Sequence, residues 1–161
     1  MHYEYISILK FDFGNCIKFL IWHNNNMGND VVEIKDSKIL TFDNFETAKK
    51  FTDSENCDLY EYNIPKLKRW IYTHSRTFDC SFLLDFWNIF NDIAYSFGEK
   101  IPNERTRKSD RVYNKLFFGN NFPAITPEGE CFKPIFTKTD RKITKKILSY
   151  GLYFLEKHIE R

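Results

Sequence analysis

A chain of 161 residues has material for one hydrophobic core and too little for two. Its 42% hydrophobic and 29% charged residues, 6 Gly, 5 Pro and heavy aromatic load (17 Phe, 9 Tyr, 3 Trp) exclude a disordered or fibrous protein. A formal charge of +2, from 24 basic and 22 acidic residues, is too balanced to announce a nucleic-acid or membrane partner by itself.

The first third reads as an antiparallel sheet. Residues 3–11 alternate as a half-buried strand, Asp12-Phe13-Gly14-Asn15 supplies a turn, and residues 16–22 return as its hairpin partner. The start of the chain lacks the basic residues and unbroken apolar run of a secretory leader, and no stretch reaches the roughly 20 apolar residues of a membrane span. A polar loop over 23–29 precedes two short strands, 31–34 and 38–42, around Lys35-Asp36-Ser37. Asp43 or Asn44 caps a helix to about Thr52, residues 59–62 add a strand, and Pro65 opens a short basic helix holding Leu67, Trp70 and Ile71.

The strongest periodic element is 79–97. At 100° per residue, Phe82, Leu83, Phe86, Trp87, Ile89, Phe90, Ile93, Ala94 and Phe97 share one broad face, which makes this helix central to the core. Ser81, Asp85, Asn88, Asp92, Ser96 and, with the helix continuing past Gly98, Glu99 fall opposite, bordered by Leu84, Asn91 and Tyr95. Residues 98–137 hold four of the five prolines and read as loop, with a short helix over 109–117 and a candidate hairpin at Glu128-Gly129. Thr137 and Asp140 have capping-box spacing ahead of a last helix ending near His158. The fold expectation is a single α+β domain over 1–161: an N-terminal antiparallel sheet of four to five strands against a helical C-terminal half with a long central helix.

Known catalytic and cofactor motifs are missing. There is no Gly-rich phosphate loop, nucleophile elbow, zinc-binding His-Glu-x-x-His or calcium loop, and the histidines are scattered. The cysteines at 16, 57, 80 and 131 show none of the close pairing of a disulfide framework or zinc site, and read as free thiols of a reducing compartment. Asp85 and Asp92 lie about 10 Å apart along a helix, a spacing glycosidases use. Two acids seven apart on a helix more commonly mark a solvated face. The expectation is therefore a protein with no catalytic residues, metal or cofactor.

Charge is divided along the chain. Residues 1–63 carry 11 acids against 6 bases, 77–99 carry four acids with no Lys or Arg, and 100–161 carry 14 bases against 7 acids. The acidic stripe of the central helix lacks the intrahelical acid-base pairs that usually offset like charge, and Tyr95 gives it an aromatic margin, as suits docking on a cationic partner. Asp85, Asn88, Asp92, Tyr95 and Glu99 are the first candidates for such a surface, with Asp53, Glu55 and Asp58 as a second acidic patch. The basic stretch 100–146, with Tyr113, Phe117, Phe118 and Phe122 as stacking surfaces, supports the alternative of a nucleic-acid-binding module.

Three segments carry a family resemblance: Ile39-Leu40-Thr41-Phe42-Asp43-Asn44-Phe45-Glu46-Thr47-Ala48; the Trp/Phe-rich run Phe82-Leu83-Leu84-Asp85-Phe86-Trp87-Asn88-Ile89-Phe90-Asn91-Asp92; and Leu116-Phe117-Phe118-Gly119-Asn120-Asn121-Phe122-Pro123 with Thr126-Pro127-Glu128-Gly129. Together they resemble the small α+β immunity proteins of bacterial contact-dependent growth-inhibition systems. The resemblance implies a cytoplasmic protein that binds the C-terminal toxin domain of a neighbouring cell's effector, in a 1:1 complex, and blocks it. Many such toxins are nucleases with basic substrate clefts, which an acidic surface can occupy. No functional residue follows from the resemblance, because contact residues differ from pair to pair.

Overall fold

Eight consecutive extended residues, a four-residue turn and eight more make the hairpin on which the sheet is built. In the computed structural model, which describes residues 5–26 and 28–160, β1 (Tyr5–Asp12) and β2 (Ile17–Asn24) pair antiparallel, from Tyr5↔Asn24 to Asp12↔Ile17. The turn closes through Phe13 N to Cys16 O at 2.9 Å, and the Asp12 carboxylate accepts from Gly14 N at 2.7 Å. Gly14 sits at φ +87°, a conformation that favours glycine. The expected start of this strand at residues 3 and 4 lies outside the described residues, as does Met27 of the expected loop.

Short pieces follow: β3 (Val31–Val32), β4 (Ile34–Lys35), β5 (Lys38–Ile39) and β6 (Thr41–Phe42). β4 and β5 form their own two-stranded ribbon, turning through Asp36 and Ser37, both at positive φ as a tight hairpin requires. Asn44 caps α1 (Phe45–Thr52), its side chain accepting from Thr47 N at 2.9 Å. The chain then returns as β7 (Asp58–Asn63).

The pairing of β7 corrects the expectation of a purely antiparallel sheet. It lies parallel to β1, from Ser7↔Asp58 to Asp12↔Asn63, in the order β3-β2-β1-β7 with β6 also on β2. Parallel neighbours need a crossover, which α1 supplies over one face. β1 is thereby central and buried on both faces, where a half-buried strand was expected. Ile8 packs with Phe19, Ile21 and Ala48 under α1, while Leu9 and Phe11 enter the main core on the opposite face.

That main core belongs to the helices: α2 (Ile64–Tyr72), α3 (Cys80–Ser96), α4 (Arg107–Gly119) and α5 (Lys138–His158). Asp79 caps α3 by accepting from Phe82 N, and nine of the helix's seventeen residues are buried, including Leu84, expected at the border of the polar stripe. Each fully buried Leu, Ile or Phe contributes about 1.5–3 kcal/mol. Phe11, Tyr62 and Phe86 link the sheet to α3, with ring centroids 4.8 and 5.2 Å apart in succession. The helix does not continue to Glu99. Gly98, at φ +72°, ends it: Gly98 N bonds Tyr95 O and Glu99 N bonds Ala94 O, the two hydrogen bonds of a Schellman cap.

α4 begins two residues earlier than expected because Thr106 and Ser109 cap each other reciprocally. The hairpin at Glu128-Gly129 does not form. The 120–137 segment is irregular and is clasped at Phe132 by Asn121, whose amide accepts from Phe132 N at 2.6 Å and donates to Phe132 O and Gly119 O. A stacked pair, Phe78 and Phe136 at 3.9 Å, fastens its far end. α5 opens with the expected Thr137 and Asp140 box, in which Asp140 also meets Lys115 Nζ at 2.6 Å while only 2% exposed. Burial would raise the Asp140 pKa; the Lys115 and Thr137 hydrogen bonds pull it below the ordinary carboxylate value instead.

α5 crosses α3 at Gly151, where an added Cβ would lie against Phe90 Cδ2 and 2.6 Å from its Cβ, well inside van der Waals contact. Gly151→Ala gains about 1 kcal/mol of helix propensity but forces these helices apart. A net loss of about 1–3 kcal/mol is expected, read as a lower midpoint in chemical denaturation; an unchanged or raised midpoint would refute the close packing.

Candidate partner-binding groove

The exposed residues of α3 are Ser81, Asp85, Asn88 and Tyr95, with Asn91, Asp92 and Ser96 half-buried beside them. The part of this stripe from Asn88 to Tyr95 forms the floor of an open groove of about 1340 Å³ between β2, the 98–106 loop and α4. Asn88, Asp92, Tyr95 and Glu99 of the expected surface all line it. Ile101, only 2% exposed, anchors the loop in the core and so fixes the groove's outer wall.

Polar contacts hold the walls to the floor. Trp22 Nε1 donates to Asp92 Oδ2 at 3.2 Å. Ser96 Oγ donates to the Asp92 carbonyl at 2.6 Å and accepts from Val32 N at 2.9 Å, tying β3 to the end of α3. From α4, Tyr113 OH donates to Asn88 Oδ1 at 2.9 Å, and Asn91 Nδ2 donates to Glu104 Oε2 at 3.2 Å. Asp30 accepts from Asn25 N at 2.8 Å and from Asn24 Nδ2. Five carboxylates (Asp30, Asp92, Glu99, Glu104, Asp110) face two cations (Lys100, Arg105) along this lining, and Arg105 is turned onto Glu104 at 3.3 Å.

Asp92 is the group under electrostatic stress. Burial, and then the nearby Asp30 charge, push its pKa up to about 7, against a smaller opposing pull from the Trp22 hydrogen bond. A cation seated in the groove would favour the ionised carboxylate. Asp85 behaves differently. Its pKa is also raised, by burial and then by Asp79, but it lies outside the groove, on the part of α3 near Tyr62. Asp85 and Asp92 therefore share no cavity.

The second acidic patch lies apart. Asp53, at φ +50°, closes α1, while Glu55 and Asp58 line a smaller hollow with Tyr5, Ile6 and Lys49, on the side of the sheet that α1 covers. The two expected patches do not make one surface. Sequence reasoning missed Trp22, Asp30 and Glu104, and it assigned Tyr113 to a nucleic-acid-stacking surface rather than to the wall of this groove. The one local signal available was the Thr106-x-x-Ser109 box, which sets where α4 starts and hence where Tyr113 points.

Among the described residues, no group of three or more His, Cys, Asp or Glu is gathered to hold a metal ion, and no helix is long and apolar enough to cross a membrane. The cysteines are free thiols, Cys80 buried and Cys131 exposed.

A carboxylate that titrates near 7 folded and about 4 unfolded keeps its proton longer in the native state, so its contribution to stability falls as pH rises from about 4 to about 7. Asp92→Asn, which retains an acceptor for Trp22, is expected to stabilise the protein by about 2 kcal/mol at pH 8 and by almost nothing at pH 4. Urea denaturation at the two pH values checks this; an equal effect at both would contradict the shifted titration. No protein-family model, no curated protein and no solved structure matches the chain.

Proposed function

We propose that this chain is an immunity protein that binds a cytosolic toxin domain, in the first instance a nuclease, and neutralises it in a 1:1 complex by covering its active or substrate-binding site. The protein would act in the cytoplasm and perform no chemistry of its own. The observation that carries this reading is the open, predominantly acidic groove along α3. It offers carboxylates for basic side chains, and it offers the half-exposed Tyr95 as an anchor beside them.

A nuclease cleft is basic because it holds phosphates, so an acidic groove of this kind competes for it and speeds the encounter. The chain's net charge of +2 does not oppose this, because association responds to the local face. The family resemblance supports the same reading independently of the groove's geometry.

Calorimetric titration with the effector C-terminal domain encoded beside this gene tests it. A 1:1 complex at micromolar affinity or better is expected, with loss of the toxin's activity. The exposed Glu99→Lys and Tyr95→Ala changes together should weaken it about 10- to 100-fold, while Asp85→Lys, outside the groove, should change it less than about twofold. Absence of a complex at micromolar concentration would reject the function; equal losses from both sets would reject the groove as its seat.

A further inference from the structure

Across α4 from the acidic groove lies a surface of opposite character. Arg107 and Arg111 stand four residues apart on one face of the helix, and Lys115 continues the row. Lys115 is occupied, bonded to Asp140 and to the Ile135 carbonyl at 2.8 Å. Among the described residues, Arg107 and Arg111 have no ion pair. Further along the same face, Phe118 and Phe132 meet edge to face with centroids 6.3 Å apart, and their side chains remain 50% and 48% exposed. Together with Asp110 and Asn114, these residues line an open hollow of about 490 Å³, in which one carboxylate stands among three cations.

Both features are unfavourable in the free protein. The Arg107 guanidinium in the first turn of α4 opposes the macrodipole; Asp110 in the same turn offsets part of this, and an anion seated beside the arginines adds to that offset. Half-exposed phenyl rings leave apolar surface in water, here steadied by the Asn121 clasp on Phe132. The ligand that relieves both must carry anionic groups with forked acceptor geometry and flat apolar faces within one short span. Arg107 to Phe118 is about 16 Å along the helix axis. A purely acidic peptide, without apolar side chains, would use the arginines and leave the rings idle. A duplex would offer phosphates but keep its bases stacked inside.

We propose that this face of α4 binds single-stranded nucleic acid, with phosphates on Arg107 and Arg111 and a base stacked on the face of one ring of the Phe118–Phe132 pair, its edge toward the other. This surface is distinct from the groove, and its role stands or falls independently of toxin neutralisation.

Fluorescence anisotropy of the full chain with labelled dodecamers of thymidylate and of uridylate tests the assignment. Micromolar binding is expected at about 50 mM salt, weakening roughly 5- to 20-fold at about 200 mM. Arg107→Glu with Arg111→Glu should lower affinity at least about tenfold and flatten the salt dependence. Phe118→Ala with Phe132→Ala should lower it about tenfold while leaving the salt slope intact. No binding at about 50 mM salt, binding that survives both double variants, or equal competition by a polyglutamate dodecamer would overturn the proposal.

Discussion

The helical half of this molecule depends on the burial of α3. A seventeen-residue helix with nine buried side chains must be covered on nearly every side, and the sheet, α4 and α5 provide that cover. What remains is a narrow polar stripe, and its position is not free: any side chain on the stripe inherits the rigidity of the best-packed element in the fold. The carboxylate of Asp92 shows the consequence. It is drawn far enough into the structure to lose much of its hydration, yet it still borders open space, which is why its titration moves toward neutrality. A polar group held this way is preorganised, so a partner pays little further entropy to order it.

The parts of the fold that were legible in sequence are those governed by local chemistry. Period-3.6 spacing located α3, Asp12-Phe13-Gly14-Asn15 located the first turn, and the Thr137 box located the start of α5, because each signal is contained within one turn of backbone. The errors came from long-range partners. β1 was read as half-buried, yet α1 crosses over and lets β7 dock parallel to it, so Ile8 and Leu9 are buried on opposite faces. The expected hairpin at Glu128-Gly129 gave way to an irregular loop in which the Asn121 amide satisfies the Phe132 N–H and C=O, eleven residues away in sequence.

The candidate site divides in the same way. Asn88, Asp92, Tyr95 and Glu99 share a groove because helical periodicity aligns them and the Gly98 cap leaves Glu99 at its rim. Asp85 satisfies the same periodicity, but the walls that would enclose it end short of its position. Those walls come from the end of β2, from Asp30 and from α4, and no spacing rule within 79–99 reveals them. Trp22 meets Asp92 across seventy residues of chain. Charge follows a comparable division: the sequence separates an acidic front from a basic back, whereas the fold sets acidic and basic surfaces on two sides of the same helix, with Asp110 and Asn114 bordering both hollows.

The open stripe of α3 and the loop beside it are the proposed docking face. Hydrogen-deuterium exchange of the chain, alone and with the toxin domain that the proposed function calls for, tests this face. The amides of residues 98–106, which form the outer wall, should become protected in the complex while those of 53–58 do not change. Protection at 53–58 with none at 98–106 would contradict the account.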